Sequence, residues 1–253
     1  MNSQKLDIEI RIEWKSRWHV GNGQSTSLVD RLLRKRSFSE HHLEQPYVPG
    51  SQIKGVVRHS CEKIVSTLAG NVVSPHVTTS HPDPRLLSEF KPLSNSTLIM
   101  DRLFGSRYQG ECLYVEDSEP EVKKNPTTQI ISRTAIDRVS GTTRFKSLFV
   151  SEVAVGSGNP HTAIIQARHE ANILTQENNG FPYEYSLLLV GLLAVESLGG
   201  DKSSGMGRCA ISIPEGTVHW NDHPRYPLAE ALSSFTEPEW IDLMHMCREE
   251  KSA

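Results

Sequence analysis

Leu6, Ile8, Ile10, Ile12 and Trp14 alternate without a break with Asp7, Glu9, Arg11 and Glu13. Only an extended chain, with its period of two, puts all five apolar side chains on one face, so this segment predicts a strand buried on one side and charged on the other. Such a strand needs a sheet beside it and a further layer against its apolar face. Helices for that layer are legible downstream. After Pro49-Gly50, Ser51 is placed to cap a helix in which Ile53, Val56, Val57, Ile64, Val65 and Leu68 recur at helical spacing until Gly70 stops it. Residues 185–197 read as a second, buried helix ended by Gly199-Gly200, and residues 208–213 alternate as a returning strand. Strand, helix, strand in each half predicts an α+β chain on the split βαβ, ferredoxin-like plan.

Two segments exceed such a core. Residues 71–97 carry Pro75, Pro82, Pro84 and Pro92 among histidines and serines and read as an inserted, lid-like loop. Residues 117–156 begin acidic and proline-containing, then give Ile130-Ile131 and residues 145–155 as strands around Ser140-Gly141, a hairpin signal. Residues 237–251 read as a short amphipathic helix, with Thr236 as its cap and Glu239 completing a capping box. The expected organisation is one domain over 1–253, with its core in 5–70, 98–116 and 157–214.

Composition narrows the function. The 253 residues suffice for a full core. Cys61, Cys112, Cys209 and Cys247 are far apart and follow no signal-like apolar N-terminus, which favours a reducing, cytoplasmic setting. The longest apolar run, 187–195, falls well short of the roughly 20 residues of a membrane span, so no membrane partner is expected. A net charge of −3 argues against a freestanding, non-specific nucleic-acid binder; RNA binding would require cations gathered on one face.

Three motifs combine glycine with cations. In Pro49-Gly50-Ser51-Gln52-Ile53-Lys54-Gly55, a helix N-terminus offers backbone donors near Ser51, and Lys54 and Arg58, four apart, share one helical face able to neutralise phosphates. An ordinary capped helix with two solvated cations is the other reading of the same residues. Arg133-Thr134-Ala135-Ile136-Asp137-Arg138 sets two arginines around an apolar pair, with Asp137 within reach of either. In Gly199-Gly200-Asp201-Lys202-Ser203-Ser204-Gly205-Met206-Gly207-Arg208, four glycines allow successive N–H groups to face an anion. That loop is not a nucleotide-binding P-loop. Met206 and Gly207 stand where Lys and Ser/Thr are required, and the loop runs from helix to strand, the reverse of the order that motif needs.

These motifs, in this order and spacing, resemble the RAMP superfamily of CRISPR-associated RNA-binding proteins over roughly residues 6–213, most nearly the backbone subunits of type III effector complexes. The resemblance implies an α+β, ferredoxin-like (RNA-recognition-motif-like) core with an inserted lid loop and a β-hairpin thumb that reaches over the guide–target duplex. It implies crRNA, target RNA and neighbouring RAMP subunits as partners. The RNA-binding set it implies is His19, Gly21, Arg31, Ser51, Lys54, Arg58, Arg133, Arg138, Gly199, Gly200, Lys202, Ser203, Gly205, Gly207 and Arg208. Read without the family, His19 is a packed or hydrogen-bonded histidine before a glycine turn.

In cleaving members an aspartate on the loop after the first glycine turn is required for cutting target RNA, and Asp30 stands there. RNA carries its own nucleophile, the 2′-OH, so one carboxylate suffices to accept a proton or to orient a divalent cation such as Mg2+, with Arg31, Arg34, Lys35 and Arg36 screening phosphates. The basic run Arg31-Leu32-Leu33-Arg34-Lys35-Arg36 departs from the more apolar stretch usual in the family. The expected activity is an endoribonuclease working within the complex. Alternatives are a catalytically silent crRNA-binding subunit and a guide-processing nuclease. Structural zinc, held in some family members near the insertion, is not expected: His41, His42, His76, His81 and Cys112 offer no CxxC or HxxxH spacing.

Overall fold

The alternation of β1 (Gln4–Trp14) organises the computed structural model, which describes residues 4–37, 44–69, 99–105, 110–122, 128–156, 158–169, 181–233 and 235. Leu6, Ile8, Ile10, Ile12 and Trp14 are all buried, each contributing roughly 1.5–3 kcal/mol. Next come β2 (Lys35–Ser37) and β3 (Glu44–Pro46), paired as a small ribbon, then helices α1 (Gly50–Ala69) and α2 (Ile99–Phe104). Strands β4 (Leu113–Val115) and β5 (Glu119–Pro120) lead to the hairpin of β6 (Thr128–Ile136) and β7 (Thr143–Ala154). The chain returns through β8 (His161–His169), α3 (Tyr183–Leu193), β9 (Cys209–Ser212), β10 (Val218–Trp220) and α4 (Leu228–Ser233).

The main sheet is antiparallel, in the order β10-β1-β8-β4, with β5 on β8 and β9 sharing one edge of β1 with β10. Counted along the main core strands, this is fourth, first, third, second, the ferredoxin-like arrangement expected from the sequence. Pairing of Ile8 with Ile165 and of Ile10 with Ala163 keeps the apolar alternates of β1 and β8 on one face. Ile53, Val57, Cys61 and Val65 of α1 and the buried Leu187, Leu188, Leu189 and Leu192 of α3 join the same core. The opposite face carries the charged alternates of β1, where Arg11 pairs with Glu13 at 2.8 Å and Glu121 at 2.5 Å, and Arg168 with Asp7 at 2.7 Å.

Two boundaries differ from expectation. α1 begins at Gly50, and its first N–H donates to the Asp117 carboxylate at 2.9 Å, so the cap comes from the loop after β4 and Ser51 lies exposed in the first turn. α3 ends at Leu193 rather than near 197, because the following residues are taken up by backbone pairing: Cys209 donates to the Glu196 carbonyl at 3.0 Å and Leu198 to that of Gly207 at 2.9 Å. The expected lid at 71–97 and the expected C-terminal helix at 237–251 lie outside the described residues. Among the described residues no helix is long and apolar enough to cross a membrane.

Candidate nucleic-acid interface

The loop leaving β1 is stitched onto β7. Trp18 and Ala154 exchange backbone bonds at 3.1 and 2.9 Å, the N–H groups of Asp30 and Arg31 donate to the Val150 carbonyl at 2.9 and 3.2 Å, and Glu152 donates to the Arg31 carbonyl at 3.0 Å. Asp30 is exposed, yet one carboxylate oxygen is held: Oδ2 accepts the Val150 N–H at 2.7 Å. On the same strand the Glu152 carboxylate pairs with Lys35 at 2.5 Å and accepts the Leu33 N–H at 3.2 Å. The Glu152 carbonyl accepts from Nδ1 of the buried His19 at 2.7 Å. His19 therefore fastens loop to hairpin from within. Gly21, exposed, bridges Leu33 further along the loop.

The glycine-rich loop closes on the same place. Gly200 donates to the His19 carbonyl at 2.8 Å and Gly207 to that of Arg17 at 2.7 Å. Gly207 has φ 72°, and a Cβ there would lie 2.0 Å from the Leu198 carbonyl oxygen, so glycine alone fits. Between them Asp201, itself left-handed at φ 56°, opens a 3-10 turn at Lys202–Ser204 that ends at Gly205. Lys202, Ser203, Gly205 and Arg208 are exposed.

Asp201 joins the segments by charge. Its carboxylate meets Arg31 at 3.2 Å and Arg133 of β6 at 3.2 Å, while Arg133 also donates to Ser204 Oγ at 3.1 Å and Met206 Sδ at 2.8 Å. Beside this knot is an open cleft of about 410 Å³ lined by Ser16, Arg17, Ile131, Ser132, Arg133, Ser204, Gly205 and Met206. The middle and late motifs and the Asp30 loop thus form one surface. Arg17, Arg31, Lys202 and Arg208 are exposed on the loops that build it, while the acidic alternates of β1 lie on the open face of the sheet.

The cations of the early motif are engaged. Lys54 is ion-paired with Glu111, and Arg58 with Glu62 one turn on at 3.1 Å. Arg36 pairs with the capping Asp117 at 3.0 Å, so the loop between β1 and α1 runs from the glycine loop to the α1 N-terminus. Arg138 is exposed in the hairpin turn. Asp137 pairs with neither arginine of its motif: its carboxylate accepts the N–H groups of Val139 and Ser140, and the Ser140 bond foremost holds it below the usual carboxylate range. Asp201 and Glu152, the two acids that fasten the surface together, were missed as site residues. Asp201 was visible as the one acid of the glycine loop, whereas the role of Glu152 depends on strand pairing that no local pattern shows.

Among the described residues no three histidines, cysteines or acids group as a metal cage. Of the residues weighed for zinc only Cys112 is described; His41, His42, His76 and His81 lie outside.

A ferredoxin-like sheet, a hairpin inserted before its third core strand, and a glycine loop held to the loop after β1 by backbone bonds and to the hairpin by Arg133 define a class of α+β protein with an arginine-lined cleft. The chain belongs to the RAMP superfamily, whose family model matches residues 11–210. A chain of a solved structure described as "Type IV-B CRISPR Complex" is similar at a TM-score of 0.55 and 15% identity, over 92% of this chain and 99% of that chain. At that identity the likeness is one of fold. No curated protein matches.

Proposed function

We propose that this chain is a crRNA-binding backbone subunit of a type III CRISPR effector complex, and that it cuts complementary target RNA at Asp30. The observation that carries the reading is the convergence of Asp30, Arg31, Arg133 and the glycine loop on one cation-rimmed surface, since these are the segments the family resemblance assigns to RNA. Arg31, Arg133, Lys202 and Arg208 contact phosphates, which positions RNA without reading its sequence. The early motif contributes at the α1 end, where a phosphate has to displace Glu111 or Glu62 to reach Lys54 or Arg58. Neighbouring subunits and target RNA complete the cytoplasmic ribonucleoprotein.

At Asp30 the chemistry required is small. The 2′-OH attacks the adjacent phosphorus as its proton passes to a base, a 2′,3′-cyclic phosphate forms, and the bond to the 5′ oxygen breaks, that oxygen leaving as a hydroxyl with a proton from water. Val150 holds one carboxylate oxygen, so the other is presented in a fixed direction, as proton acceptor or as ligand to a hydrated cation. One exposed carboxylate fits Mg2+, which keeps its waters and shares substrate phosphates, and the ion when bound supplies neutralisation of phosphate charge. Arg31, next in sequence, neutralises the same phosphate. The Val150 bond also favours a second reading in which Asp30 only latches the hairpin and the subunit is catalytically silent.

Guide binding tests the main reading. In the reconstituted complex, Arg31→Ala and Lys202→Ala should each weaken crRNA binding about 5- to 30-fold, in line with roughly 1–2 kcal/mol for a charge-assisted contact. Unchanged guide affinity in both variants would contradict it.

A further inference from the structure

We propose that Asp201 is a positioning residue for RNA: its carboxylate holds Arg31 and Arg133 side by side so that the two guanidinium groups grip the RNA backbone together. This rests on the RNA-binding reading above and goes beyond it in assigning a role to an acid on a surface meant for an anion. Three separate segments supply the parts. Arg31 comes from the loop after β1, Arg133 from hairpin strand β6, and Asp201 from the glycine loop, with N···O distances of 3.2 Å on both sides.

An acid placed here either competes with phosphate for the arginines or aims them. Burial decides between the two. The Asp201 side chain is 20% exposed, that of Arg133 33% and that of Arg31 47%, so the carboxylate is the least exposed of the three. Arg31 uses only Nη1 on Asp201, which leaves Nε and Nη2, the edge suited to a phosphate, turned away from it. A guanidinium pair without a counter-charge would separate by repulsion; with Asp201 below, the cluster keeps one net positive charge and a defined shape.

The backbone is built for this. Asp201 occupies the left-handed region at φ 56°, a conformation that Asp and Asn tolerate better than most residues, and its carbonyl accepts the N–H groups of Ser204 at 3.0 Å and Met206 at 3.4 Å. The turn thus holds the Asp201 backbone, and the two arginines engage its carboxylate.

The test turns on a sign. Asp201→Asn keeps the size and backbone preference of the residue and removes its charge. Loss of a negative charge beside RNA would by itself tighten binding. Positioning predicts the opposite: about 3- to 10-fold weaker crRNA binding by the reconstituted complex at ~0.1 M salt, with a salt slope shallower by about 0.7 for each single-strand phosphate that is no longer neutralised. In an Arg31→Ala, Arg133→Ala background the same substitution should cause no further weakening. Arg31→Lys, which keeps charge and loses the fork, should reproduce most of the loss if Asp201→Asn fails to fold. Equal or tighter binding by Asp201→Asn, or full binding by Arg31→Lys, overturns the proposal while leaving the RNA surface itself standing. Wild-type binding by Arg31→Ala and Arg133→Ala alike overturns both.

Discussion

A buried histidine shows how one side chain ties stability to pH. His161 lies edge-on to the stacked rings of Trp14 and Trp18, at 5.9 and 5.4 Å, and is hydrogen-bonded to Ser118 at 3.1 Å. Burial pushes its imidazole down to about 4 from the ordinary 6.5. Between those values the unfolded chain binds a proton that the folded chain does not, so stability falls as pH drops through that window, by at most about 3 kcal/mol. Melting followed from pH 7 to 4 should show this decline, and His161→Gln should flatten it. Gly207→Ala should cost more than about 1 kcal/mol, read as a lowered melting temperature, because it combines a φ of 72° with a clash on the Leu198 carbonyl. Sequence made the glycines legible, since a loop needing glycine announces itself by residue type, whereas Asp30 was singled out by family position and on its own reads as an ordinary loop aspartate. The partners of Lys54 and Arg58 were not legible, because the choice between phosphate and carboxylate depends on which acid the fold brings near.

Among elements, the longest periodic ones were readable and their ends were not. The β1 alternation fixed both the strand and its buried face, and Ile10→Ala should cost about 2–5 kcal/mol by denaturant unfolding, since Ile10 has no exposure. α3 stopped short of its expected end because residues 196–198 pair with 207–209, a long-range competition that helical spacing cannot show. The hairpin was visible as two strands around Ser140-Gly141, and β6 and β7 pair there with a bulge between Thr134 and Ile136. It leaves Val139 98% and Phe145 86% exposed, side chains that contribute little to folding. Val139→Ser with Phe145→Ala should therefore stay within about 0.5 kcal/mol of the wild-type stability while changing how target RNA is held, checked by melting and by target affinity of the complex.

For the whole molecule, a net charge of −3 still permits RNA binding where cations gather locally. The acids of β1 are balanced on the open face by Arg11, Lys15 and Arg168, whereas Arg17 and Arg133 line the cleft between hairpin and glycine loop. On the proposed reading, the surface both holds guide RNA and cuts at Asp30. The most direct test is cleavage of a guide-complementary RNA by the assembled complex with Mg2+, comparing the native chain with Asp30→Ala at matched target binding. Loss of the specific cuts with binding intact is the expected result. Cuts of unchanged position and rate would contradict it, making Asp30 a latch on the hairpin and this chain a scaffold.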